Sequence, residues 1–132
     1  MHRRFLQAMG AFLLAIPVVI TLAFGTGGFG APATAVQMAA IVLSGLLLLA
    51  AGHRDSYTLG GRTVRWNVCY GVGTAILGVG LAIGLGSSGA TGAEGLLLAV
   101  AADGGGLSLV FIGYDFARGG KHFRVSDRSG SE

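Results

Sequence analysis

Few residues of this chain can do chemistry, and one stands apart: Asp103, within LLLAVAADGGGLSLVFIGYD from Leu96 to Asp115. A carboxyl group in so apolar a run can hold a proton or cation, or accept a hydrogen bond from a neighbouring helix. Either makes it a functional candidate by default. Gly104, Gly105 and Gly106 follow it directly. Each weakens a helix by roughly 1 kcal/mol relative to alanine. They can kink the segment or split it into half-helices, as at the midplane ion sites of transporters. The alternative is that they admit a neighbouring helix, with Asp103 bonding across the contact. No Lys or Arg falls within the apolar stretches, so an ion pair at this depth has no partner in the chain. Ser44 is the expected hydrogen-bond partner.

Other constellations lack context. His53, Arg54 and Asp55 are adjacent, but no nucleophile with a recognisable setting accompanies them. Gly84, Gly86 and Gly89 satisfy GxGxxG, yet they end an apolar run instead of following a strand, as dinucleotide binding requires. His2, His53 and His122 share no ligand spacing. The single cysteine, Cys69, excludes an internal disulfide and a multi-cysteine metal site. It reads as a buried structural thiol in preference to an acylated one. No enzyme activity, cofactor or metal is expected.

The elements that must position Asp103 follow from composition. The chain has 132 residues, of which 52% are hydrophobic and 11% charged, with 25 glycines. A soluble domain carries roughly a quarter charged residues, so this chain is expected to fold in lipid. Four stretches approach the roughly 20 apolar residues that cross a bilayer: Phe5–Phe24, Ala33–Ala51, Val68–Leu85 and Gly95–Phe116. The first and third connectors, GTGGFGAP and GSSGATGAE, are short and turn-rich; the middle one, GHRDSYTLGGRTVRWN, is polar. The expected fold is an all-α, polytopic bundle of four transmembrane helices over residues 1–117, with a disordered basic tail over 118–132.

Arg3 and Arg4 precede the first span; Arg54, Arg62 and Arg65 lie between the second and third; Arg118, Lys121, Arg124 and Arg128 follow the fourth. The other two connectors have no basic residue. Basic residues near span ends stay cytoplasmic, so both termini and the middle loop are expected inside. Arg62, Arg65, Lys121 and Arg124 can also attract anionic headgroups. MHRR, an apolar run and APATA together resemble a signal peptide. The run of about twenty residues exceeds the 7–15 of a signal core, so a retained span is expected. Nucleic acid is not expected as a partner, because the basic residues are accounted for by topology.

Ungapped comparison of residue n with n+61 aligns Gly10 with Gly71, and GLLLLAAG at Gly45–Gly52 with GLSLVFIG at Gly106–Gly113. A duplicated helical hairpin would explain this. In that register Asp103 meets Val42, and Ser44 lies at comparable depth. Counted from Glu94, Asp103 is about 14 Å into its helix, close to the bilayer centre. An aspartate there costs roughly 2.5–3.5 kcal/mol on insertion scales. The span's Leu, Val, Ile and Phe residues return roughly 3–6 kcal/mol, so it still inserts.

Helices in lipid associate through close backbone contact and interhelical hydrogen bonds. In the third span Gly80 and Gly84 form a GxxxG pair, and Gly78, Ala82 and Gly86 a second small stripe. Such a helix can be approached on more than one side, by its own bundle or by a second copy. Pro17 is expected to bend the first span. Gly60–Gly61 between SYTL and RTVR is a two-residue hairpin signal. Trp66, Tyr70, Tyr114 and Phe116 read as interfacial anchors, and Asp115 and Asp127 as surface partners of nearby arginines. Eight Arg against one Lys fits a GC-rich prokaryotic genome, and hence a plasma membrane. The expected role is a structural or accessory membrane component, homo-oligomeric or joined to another membrane protein. The alternative is a small transporter or channel subunit in which Asp103 binds a proton or cation.

Overall fold

The structure is a computed structural model that describes residues 3–54, 56–86, 89 and 91–119. Four long helices carry it: α1 (Arg3–Phe24), α2 (Pro32–His53), α3 (Trp66–Gly86) and α4 (Gly92–Ala117). All four are long and apolar enough to cross a membrane. The expected spans agree with them to within three residues at every end. A 3-10 turn, Thr26–Phe29, joins α1 to α2, and two strands, β1 (Ser56–Leu59) and β2 (Arg62–Arg65), join α2 to α3.

Local chemistry sets these boundaries. Gly25, just past α1, has φ 67° and ψ −170°, a backbone conformation open essentially to glycine alone. Pro32 opens α2 at a position where a missing N–H costs nothing. The strands pair antiparallel with Tyr57 opposite Val64 and Leu59 opposite Arg62. Both turn residues, Gly60 and Gly61, have positive φ (56° and 80°). That is the type I′ geometry the twist of a two-residue hairpin favours.

The helices lie antiparallel in a row. α1 packs on α2, α2 on α3 and α3 on α4, while α4 makes no comparable contact with α1 or α2. The core is therefore built by the first three. Leu6 and Leu13 of α1, Ile41 and Leu48 of α2, and Tyr70 and Leu77 of α3 are buried together. In the most apolar stretch of α3, 44% of residues are buried, against 11% in α4.

Glycine sets the spacing in this row. An added Cβ on Gly73, Gly80 or Gly84 would strike Leu48, Ala40 or Gln37 of α2, whereas on Gly71 or Gly78 it would strike Gly113 or Gly106 of α4. The small residues of α3 are thus consumed on both sides by its own neighbours. In this fold α2 lies against Gly80 and Gly84, and α4 against Gly78 and Ala82. Gly86 is the last residue of α3.

Of the two readings of Gly104–Gly106, a split into half-helices is not seen, and the approach of a neighbouring helix is, at Gly106. α4 runs unbroken from Gly92 to Ala117 through Gly104–Gly106. Its intrahelical bonds and the contact of Gly106 with α3 hold the glycines helical. α1 likewise continues through Pro17, whose carbonyl accepts the Thr21 hydroxyl at 2.7 Å. The tail expected to be disordered lies outside the described residues from 120 onward, as do Lys121, Arg124 and Asp127.

Candidate functional site

Each neighbouring helix pair is crossed by one carboxamide. Gln7 Nε2 of α1 donates to the Gly52 carbonyl of α2 at 3.2 Å. The Gln37 amide of α2 lies against Gly84 of α3. Asn67 Nδ2 of α3 donates to the Phe116 carbonyl of α4 at 3.3 Å. Sequence reasoning passed over all three, although a lone amide in an apolar helix is a visible signal. Polar side chains within such helices bond across them, typically for about 0.6 kcal/mol each.

Asp103 does not follow this pattern. It is exposed on α4, as are Gly104, Gly105, Leu107 and Ser108 beside it. An added Cβ at Gly104 or Gly105 would meet nothing within 4 Å, whereas at Gly106 it would come within 2.7 Å of the Gly78 carbonyl oxygen. The glycine triplet is therefore divided: its last member packs, and the first two face outward with the acid. Ser108 Oγ donates back to the Gly104 carbonyl at 2.7 Å, the usual resort of a helical hydroxyl in an apolar setting.

α4 is offset along the bundle axis from α3. Gly106 lies against Gly78 and Ala82, and Gly113 against Gly71 and Ala75. Stepping three residues back from Gly106 sets Asp103 level with Ile83, about one turn short of the end of α3 at Gly86. The acid is near the end of α3 that lies away from the arginines, yet mid-way along α4, which begins about two turns beyond the end of α3.

Ser44 is not its partner. Ser44 is fully buried on α2, its carbonyl beside Gly73 of α3, and its hydroxyl has no hydrogen-bond partner. α3 lies between it and α4. Asp115, expected at the surface, is only 6% exposed. Tyr70, expected as an interfacial anchor, is buried and meets Phe116 edge to face at 4.9 Å. Cys69 is buried as a free thiol, in agreement with the structural reading.

The opposite end of the bundle gathers the charge. Arg3 and Arg4 begin α1, Arg54 follows α2, Arg62 and Arg65 lie on β2, and Arg118 follows α4. Every described arginine is at this end. The Arg118 guanidinium sits 4.5 Å from the centre of the Tyr114 ring, a cation–π contact. The Tyr57 hydroxyl donates to the Ala50 carbonyl at 2.7 Å and ties the hairpin to α2. Beneath it a cavity of about 590 Å³ is lined by Gln7, Ala11, Leu49, Ala50, His53 and Tyr57. A second, apolar cavity of about 350 Å³ lies between α2 and α3, with Ala40, Val79 and Gly80 in its wall. Asp103 lines neither. Among the described residues no group of three His, Cys, Asp or Glu is placed to hold a metal ion.

Residues 1–128 match the model of a family of unknown function, DUF7994. The chain belongs to that family. No curated protein and no solved structure matches it. The family relation covers nearly the whole chain, so the four helices and the hairpin form one family unit.

Proposed function

We propose that this DUF7994 member is a multi-pass protein of a prokaryotic plasma membrane, with both termini and the β1–β2 hairpin on the cytoplasmic side. It acts as a structural or accessory component, without turnover. The gathering of the described arginines at one end of the antiparallel row supports the orientation.

The observation that carries the accessory reading is the position of Asp103. Asp103 is exposed on α4, an end helix of the row, level with Ile83 near the end of α3, and lines neither described cavity. A coupling acid works from an enclosed site near the midplane. The uncovered side of α4 is instead where another membrane protein or a second copy would join.

The transporter reading keeps one support: an assembly that covered α4 would enclose Asp103. Proteoliposomes with wild type and Asp103→Asn decide between the two. Absence of proton or cation flux in both supports the accessory role. Flux that the substitution abolishes overturns it. In a Cys69→Ser background, Thr58→Cys is expected to react with membrane-impermeant maleimide only after lysis, and Gly27→Cys in intact cells.

A further inference from the structure

We propose that the cavity beneath the hairpin is a binding site for one anionic phospholipid with a hydroxyl-bearing headgroup. The inference rests on the membrane reading above.

The cavity opens to the surface. Ala11 of α1 with Leu49 and Ala50 of α2 give it an apolar lining, and Gln7, His53 and Tyr57 line its mouth nearer the arginine-bearing end. At about 590 Å³ it falls within the roughly 300–1,000 Å³ of small-molecule sites. Because α1 and α2 form its sides, an acyl chain can lie along them while the headgroup stays at the charged end.

Three exposed arginines lie on or next to the elements that carry those polar residues. Arg54 is exposed next to His53. Arg4, also exposed, precedes Gln7 by three residues, which makes the two neighbours on one helix surface. Arg62 shares a hairpin face with Tyr57, since directly paired and alternate strand residues project the same way. That face packs on the core through Tyr57 and Val64, and Arg62 at its end is exposed. Basic pockets between helices on the cytoplasmic side are where anionic headgroups bind.

Hydrogen bonding narrows the class. Tyr57 has already donated its proton to Ala50, so its oxygen is left as an acceptor. Gln7 Nε2 is already engaged with Gly52. An exposed phosphodiester takes the arginines, and a headgroup hydroxyl donates to Tyr57. A choline headgroup offers neither net negative charge nor that donor.

The test uses the full chain in mixed micelles, titrated with phosphatidylglycerol or phosphatidylcholine of matched acyl chains and read by native mass spectrometry. Glycerol phosphate and inorganic phosphate serve as soluble arms. Wild type is expected to hold one phosphatidylglycerol at least tenfold more tightly than phosphatidylcholine, with neither soluble anion competing at equal concentration. Arg54→Gln and Arg62→Gln each weaken it about fivefold, equivalent to about 1 kcal/mol per arginine. Ala11→Phe, at an exposed helix position, fills the cavity without changing charge and abolishes the preference. Arg118→Gln, the same charge change made beside Tyr114, leaves it within twofold. Equal affinity for both lipids overturns the proposal. So does an Ala11→Phe variant that keeps the preference, an equal loss with Arg118→Gln, or full competition by a soluble anion. Micelles expose both ends of the bundle, so a wrong orientation would appear only in the cysteine mapping and leave this result standing.

Discussion

Replacing Gly105 and Gly106 in turn by alanine isolates helix contact from helix propensity. The two glycines are adjacent in α4 and share the same intrinsic preference, so an alanine at either returns up to about 1 kcal/mol to the helix. They differ only in what the new methyl meets. At Gly105 nothing lies within 4 Å; at Gly106 the methyl would sit 2.7 Å from the Gly78 carbonyl oxygen and 3.1 Å from Ala82 Cβ. A backbone carbonyl cannot swing aside as a side chain does, so α3 and α4 must separate, which costs about 1–3 kcal/mol for overpacking. The propensity term cancels between the variants. The gap between them is therefore about 1–3 kcal/mol, or roughly 5- to 150-fold in the unfolding equilibrium at 1.4 kcal/mol per decade. The assay is reversible unfolding by dodecyl sulfate in mixed micelles, dilute enough to keep the chain monomeric. It is read by far-ultraviolet circular dichroism and by Trp66, the single tryptophan. Gly106→Ala should unfold at distinctly lower denaturant than Gly105→Ala. Coincident curves would refute the α3–α4 contact, and with it the depth assigned to Asp103.

Three further outcomes follow from the same geometry. In a glycosylation-mapping assay of α4, Val110→Asp, level with the middle of α3, should raise the apparent insertion free energy by about 3 kcal/mol. Asp103→Leu should improve insertion by only about 1 kcal/mol, since an acid level with the end of α3 is penalised less than one level with its middle. Tyr57→Phe removes the 2.7 Å bond to Ala50 and should cost about 0.5–1.5 kcal/mol, seen as faster hydrogen exchange confined to the hairpin and the end of α2. Leu48→Ala opens space above Gly73 at a fully buried position and should destabilise the fold by at least about 2 kcal/mol in the same dodecyl sulfate titration.

The parts of this molecule legible in one sequence are those fixed by local or one-dimensional rules. Apolar run length located the helices, and Gly60–Gly61 located the hairpin turn, because only glycine takes positive φ freely at both positions. The order of the helices in space was harder, yet a sign of it is present. Gly71-Val72-Gly73 recurs at Gly78-Val79-Gly80, one heptad on. In a helix the two glycines of each triplet point to nearly opposite sides, toward α4 and α2, and leave Val72 and Val79 exposed between them. That pattern marks α3 as the middle of a row. Ser44 and Asp103 pair only in the ungapped repeat, which carries no information about how far one helix slides along another.

That slide is measurable. In the first hairpin an added Cβ on Gly10 would meet Gly45. The offset of 61 converts this pair into Gly71 and Gly106, but Gly71 meets Gly113, seven residues further along α4. Seven residues are nearly two helical turns, so the displacement is about 10 Å along the axis with only about 20° of rotation. A slip of that size keeps the same face of α4 against α3 and preserves the glycine contacts, which is why the repeat can persist in sequence while failing in register. It also accounts for the two turns of α4 that run past Gly86 and expose Leu96 and Leu97. The same displacement carries Asp103, mid-way along α4, from the level of the middle of α3 to that of Ile83.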